Sequence, residues 1–254
     1  LPVSHNNLSF DFKAKKFISA ASLNGLARQL KWMGGLSVDS QKFLLQPHLV
    51  ASSNTIESEL DLIPHIDRDE ISTFSSGRER DIADAIMRLD QQTYLADDLL
   101  VKSDRSTITA SLEARLPFLA YPLVEFAQSL PVEYKVKGKG TKLILRELAL
   151  DYLPAEIVER PKKGFGIPVA KWLKSELKPF VDQFLSQEFI EAQAIFNYSF
   201  VDSLLSEHLN NKVDRRKELW TLLMFQWWWA KFFGGGYEGM IPESRNCDLV
   251  SGRK

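Results

Sequence analysis

The sequence predicts a mainly α-helical domain. Apolar residues recur at intervals of three and four along most of the chain, alternating strand patterns are almost absent, and Gly or Pro closes the periodic segments at helix-like lengths. The 254 residues suit one large domain or a domain with an appendage, and 44% apolar with 26% charged residues permit a sizeable core.

Lys15 to Met33 carries Phe17, Ala20, Ala21, Leu23, Leu26, Leu30 and Met33 on one helical face, and Gly34-Gly35 stops it. Ser37 or Asp39 then caps a short helix through Phe43 and Leu45. Ser52 to Thr73 is polar, contains Pro64, and reads as loop plus a short helix. After Ser75-Ser76-Gly77 a long helix is expected from about Arg78 to Tyr94, with Ile82, Ala85, Ile86, Leu89 and Tyr94 inward. Leu95 to Ser111 continues helical, and Leu116-Pro117-Phe118-Leu119 breaks the pattern. Leu123 to Leu130 is a short helix ended by Pro131, and Tyr134 to Lys137 is a strand edge or extended arm. Thr141 is placed to cap a helix from Lys142 to Tyr152, which Pro154 terminates. Arg160 to Pro168 is a basic loop, Val169 to Leu185 is amphipathic, and helices follow at about Phe200 to Leu209 and Arg215 to Phe233. Residues 1–233 are the expected helical part and 234–254 a polar tail.

With 32 basic and 33 acidic residues the net charge is -1, so no global field recruits nucleic acid or an anionic membrane. The stretch Leu219 to Phe233, broken by Gln226 and Lys231, is too short to span a bilayer, which needs about 20 apolar residues. One cysteine, Cys247, excludes a disulfide framework and suits a reducing, cytoplasmic compartment. His5, His48, His65 and His208 show no metal-ligand spacing, so no metal site is expected. The chain opens on Leu1-Pro2-Val3 without an initiating methionine or a signal peptide, as the middle of a longer protein would.

Two constellations bear chemistry. Tyr94-Leu95-Ala96-Asp97-Asp98-Leu99-Leu100-Val101-Lys102-Ser103-Asp104-Arg105 runs into Ser111-Leu112-Glu113-Ala114-Arg115-Leu116-Pro117-Phe118-Leu119. Its acids and bases read either as a solvated, ion-paired helix face or as the wall of a site, and Glu113 with Arg115 reads equally as a structural pair. Arg160-Pro161-Lys162-Lys163-Gly164-Phe165-Gly166 places three cations ahead of a Gly-x-Gly turn. That pattern suits a departing pyrophosphate or is simply an exposed basic loop; its spacing is not that of a Walker motif. Met33-Gly34-Gly35-Leu36-Ser37-Val38-Asp39-Ser40 imitates a Ser-Gly-Gly-x-Asp-Ser nucleotide loop, but a methionine replaces the leading serine and two extra residues intervene, so it reads as a helix stop and a new N-cap. Trp227-Trp228-Trp229 reads as helix core and rim, or as a partner surface.

Together the two constellations resemble the asparagine synthetase family. The likeness extends to Leu123-Val124-Glu125-Phe126-Ala127, to Lys142-Leu143-Ile144-Leu145-Arg146-Glu147 and to the lead-in Leu8-Ser9-Phe10-Asp11-Phe12, covering nearly all of the chain to about Phe233. The resemblance implies the helical C-terminal lobe of an α/β ATP-pyrophosphatase (adenine nucleotide α-hydrolase-like) synthetase domain, with the nucleotide-binding sheet mostly absent. It implies an amide ligase that adenylates aspartate with ATP and Mg2+ and passes the adenylate to glutamine-derived ammonia. Lys162 matches the family's catalytic lysine at the pyrophosphate, supported by Arg160, Lys163 and Gly164. Asp104, Arg105, Glu113 and Arg115 match residues that position substrate or wall the cleft. A glutaminase domain and an ATP-holding Ser-Gly-Gly-x-Asp-Ser loop are the expected missing N-terminal partner, and without them the chain is expected to be inactive and to associate, as a homodimer for example. Ala120-Tyr121-Pro122 departs from the family's Asp-His-Arg. A related amidotransferase or β-lactam-forming synthetase acting on another carboxylate, and a non-catalytic helical module, stand as alternatives.

Overall fold

The computed structural model describes residues 14, 17–21, 23, 25–52, 79–161 and 166–233. The described residues are predominantly helical, as the periodicity predicts, with one two-stranded hairpin. They fall into two compact units, the first within 1–22, 30–62 and 166–254 and the second within 23–29 and 63–165. The loop and short helix expected over Ser52 to Thr73, apart from Ser52 itself, the Ser75-Ser76-Gly77 punctuation, the Leu8 lead-in and the 234–254 tail lie outside the described residues.

Helix α1 spans Gly25–Met33, not Lys15 to Met33. Residues 17–19 are helical, but the backbone then closes i→i+3 bonds from Ala20 N to Phe17 O (3.3 Å) and Ala21 N to Ile18 O (3.2 Å), the tightened ending of a helical turn. Helix α2, Val38–Leu44, is capped by Ser37, whose hydroxyl accepts from Ser40 N at 3.2 Å, leaving Asp39 in the first turn. Between them Gly34 N bonds Leu30 O at 2.7 Å, so Met33–Ser40 is a helix stop followed by a new cap. Helix α3 is Pro47–Ser52.

In the second unit α4, Glu79–Asp90, buries Ala85 and Leu89. The chain then widens into a π-helical stretch, Gln91–Leu100, before α5, Val101–Ile108. This corrects the expected α-helical run through Tyr94: i→i+5 winding takes Tyr94 off the buried row, and it is 38% exposed. A 3-10 turn at Pro117–Leu119 precedes α6, Tyr121–Ser129, which stops ahead of Pro131. Tyr134 and Lys135 belong to a short helix α7, Val132–Lys135, rather than to a strand; only β1, Val136–Lys137, is extended. It pairs antiparallel with β2, Gly140–Thr141, in the register Val136↔Thr141, around Gly138 at φ 57°. Thr141 is therefore a strand residue and not a cap; α8, Leu143–Leu150, starts from Lys142 in the left-handed region with no side-chain cap bond. Helix α9 is Ala155–Val158.

The amphipathic stretch expected over Val169 to Leu185 divides into α10, Val169–Trp172, and α11, Lys178–Phe184. Pro179 causes the division, because it cannot donate to the preceding turn and sits where a helix begins. Helices α12, Gln187–Gln193, α13, Tyr198–Leu209, and α14, Arg216–Phe233, complete the first unit, with Ser186 and Asn197 capping α12 and α13. Its core gathers Phe184, Leu185, Ile190, Leu204, Leu222 and Leu223. Trp227 stacks on Phe180 at 5.3 Å while Trp228 stays 47% exposed, the core-and-rim arrangement read from the sequence.

Candidate functional site

The Asp97–Leu119 segment is shaped by its helix end. Ser103, Thr107 and Thr109 turn their hydroxyls onto carbonyls three or four residues back, at 2.8–3.0 Å to Leu99, Ser103 and Ser106. The helix closes as a Schellman motif: Leu112 N bonds Thr107 O at 3.0 Å and Ser111 N bonds Ile108 O at 2.8 Å, with Ser111 at φ 56° where glycine is usual. The turn throws Leu112–Leu116 out as an extended arm on which Glu113 and Arg115 face each other.

Glu113 and Arg115 form an ion pair at 3.0 Å with side chains 72% and 81% exposed, so the pair contributes little stability. Asp104 and Arg105 are exposed on α5 and have no side-chain partner among the described residues. Arg160 is exposed beyond α9. Lys162, Lys163 and Gly164 lie outside the described residues. The structure thus shows five of the expected site residues, joins only Glu113 to Arg115, and leaves all five exposed.

Large apolar groups of the same unit are exposed as well. Ile108, Leu112, Phe118, Tyr121 and Phe126 are 54–73% exposed, and no residue of α5 to α9 is buried. Exposed large apolar side chains in such numbers are a feature of interaction surfaces and ligand grooves.

Arg146, whose residue type alone does not mark it as functional, organises the entry to the basic loop. From the first turns of α8 its Nε donates to Thr141 O at 3.0 Å and its Nη1 to Val158 O at 2.8 Å. One guanidinium therefore ties the β-hairpin and the end of α9, two residues before Arg160. The signal available in the sequence was its place in Lys142–Glu147, which carried the resemblance.

Among the described residues no group of three or more His, Cys, Asp or Glu could hold a metal ion, and no helix is long and apolar enough to cross a membrane. The described residues accordingly do not fit the Mg2+ that the resemblance implies.

A family model described as asparagine synthase matches residues 7–230. The chain is 34% identical over 140 residues to asparagine synthetase (glutamine-hydrolyzing) 1 of Bacillus subtilis strain 168, covering 55% of this chain and 22% of that protein. It is 34% identical over 113 residues to asparagine synthetase (glutamine-hydrolyzing) of Gallus gallus, covering 42% and 20%. With the Cricetulus griseus protein of the same name it shares 36% over 114 residues, again covering 42% and 20%. The matched stretch spans about a fifth of the length of these relatives. No solved structure matches the chain.

Proposed function

The chain belongs to the asparagine synthase family, and from that we propose that it supplies the helical lobe of an ATP-dependent amide ligase. The reaction is asparagine formation from aspartate, ATP and glutamine-derived ammonia through an aspartyl adenylate, in the cytoplasm. The observation that carries the reading is the family match running through both charged constellations in order.

Negative charge builds on the α-phosphate and the leaving pyrophosphate as the aspartate carboxylate attacks, so cations held there before reaction lower the barrier most. Lys162 takes that role as the catalytic cation, with Arg160, Lys163 and the Gly164 turn completing the pyrophosphate site. Asp104, Arg105, Glu113 and Arg115 position aspartate or form the wall beside it. The exposed apolar and charged groups of α5 to α9 support a covering body: the sheet and Ser-Gly-Gly-x-Asp-Ser loop that hold ATP, provided with the glutaminase by residues outside these 254. Mg2+ comes with the nucleotide and that covering portion.

The test is product formation by the protein joined to its nucleotide-binding portion, supplied with ATP, Mg2+, ammonia and one carboxylic acid at a time. Asparagine from aspartate, with AMP and pyrophosphate in equal amounts, is expected. Turnover with another acid and none with aspartate would reassign the acceptor.

A further inference from the structure

The second unit contains a cleft of about 340 Å³ between α4 with the π-helical stretch, where Tyr94 and Leu95 open the first constellation, on one side and α6 with α7 on the other. Its volume is in the range of small-molecule sites. Two rows of the first wall line it: Asp84, Arg88, Gln91 and Leu95 in one, Met87, Asp90 and Tyr94 in the other. Ala127, Gln128 and Lys135 form the second wall. Gln128 Nε2 donates to Gln91 Oε1 at 2.9 Å and closes one end. Part of the first wall is the π-helical stretch, a rare winding that is frequent at functional sites.

The charges are balanced and mostly sheltered. Asp84 Oδ1 meets Lys135 Nζ at 3.3 Å and Asp84 Oδ2 meets Arg88 Nε at 3.1 Å, with side chains 17–25% exposed. Asp90 lines the cleft, and its Oδ1 accepts from Gln29 Nε2 at 3.0 Å. Lys135 has three N–H donors and spends two on long bonds, 3.3 Å to Asp84 and 3.5 Å to Gln128 O. Met87, Leu95, Ala127 and the Tyr94 ring form the apolar floor.

We propose that this cleft binds a free amino acid with an apolar side chain. Two acids against two bases give no net field for a nucleotide, whose phosphates need surplus cations. Two carboxylates bracketed by cations do not make a divalent-metal site. A wholly apolar ligand would strip water from Lys135 and Asp90 without replacing it. A zwitterion answers each group: its carboxylate accepts from the remaining N–H of Lys135, its ammonium donates to the Asp90 carboxylate, and its side chain lies on Met87, Leu95 and Tyr94.

The test is isothermal titration of the full chain with L-leucine and L-phenylalanine, with N-acetyl-L-leucine amide, aspartate and ATP as comparisons. Saturable 1:1 binding of leucine or phenylalanine is expected, at least tenfold weaker in Leu95→Trp, which fills the floor, and in Lys135→Met. The uncharged amide and ATP are expected to bind at least tenfold more weakly than the free amino acid. Lys135→Met also loses the Asp84 pair, so Leu95→Trp, at a half-buried position, decides if that variant misfolds. No saturable heat with either amino acid, or unchanged affinity in a folded Leu95→Trp, overturns the proposal.

Discussion

Replacing Arg146 should loosen the entry to the basic loop more than it destabilises the protein. The side chain makes two hydrogen bonds to carbonyls, Thr141 O at 3.0 Å on the exposed side and Val158 O at 2.8 Å in a partly buried setting. A hydrogen bond from a charged donor is worth about 1.5–3 kcal/mol when sheltered and less when solvated. Arg146→Ala should therefore lose about 2–3 kcal/mol in urea unfolding, allowing for the exposed bond. Arg146→Lys keeps the charge but cannot present the planar fork to both carbonyls, so it should recover about half of that loss. The functional consequence follows from position. Val158 stands two residues before Arg160, and freeing its carbonyl uncouples α9 from α8. A 1 Å displacement of a positioned group costs about 100-fold in rate. Pyrophosphate-dependent activity should fall by about that factor in Arg146→Ala, with the KM for aspartate less affected. A stability loss below about 0.5 kcal/mol with unchanged activity would refute the role given to the two bonds.

Further predictions concern the capping groups. His208 is fully buried, its Nδ1 accepting from Arg215 N at 3.2 Å and its Nε2–H facing Ala170 O at 3.1 Å; His208→Leu strands both backbone groups and should lower the urea midpoint by about 3 kcal/mol of stability. Ala120, at the N-cap of α6 with φ -59° and ψ 127°, makes no side-chain cap bond, so Ala120→Asp should add about 1 kcal/mol, read as a higher thermal midpoint. Burial pushes the Asp214 carboxyl up, but the Arg216 side-chain and backbone hydrogen bonds and the Arg216 charge outweigh it and hold the group below its ordinary 3.8. A lowered folded-state value means that Asp214 stabilises above the ordinary carboxylate range and that this contribution fades as pH falls through the lowered value. Asp214→Asn should accordingly be less stable than wild type at neutral pH, with the difference shrinking in acid unfolding below about pH 4.

Much of the fold could be read from local chemistry. The helix stop at Gly34 and the cap at Ser37 needed only near neighbours, and both stand as expected. Lys217 reinforces that stop from 185 residues away, its ammonium bonding Trp32 O at 2.7 Å, and no spacing rule announces such a partner. Pro179 carries the signal that divides the 169–185 stretch, although the apolar period runs on across it. The π-helical winding at Gln91–Leu100 was not legible, because apolar residues three and four apart do not separate α from π over ten residues. Ser111 in the left-handed region was hidden for a related reason: glycine usually announces a Schellman ending, and serine does not. At the site, motif order located the charged groups but not their partners. Glu113–Arg115 proved to be an exposed pair, and the anchoring of the loop entry by Arg146 depends on a contact across 12 residues.

The most direct measurement is ATP–pyrophosphate exchange dependent on aspartate and Mg2+, in the chain joined to its nucleotide-binding portion, compared with Lys162→Ala. The account predicts robust exchange in the parent and a loss of at least 100-fold in the variant, because a cation at the leaving group is worth about 3 kcal/mol or more in the transition state. Full exchange without the Lys162 ammonium in a folded variant would contradict it.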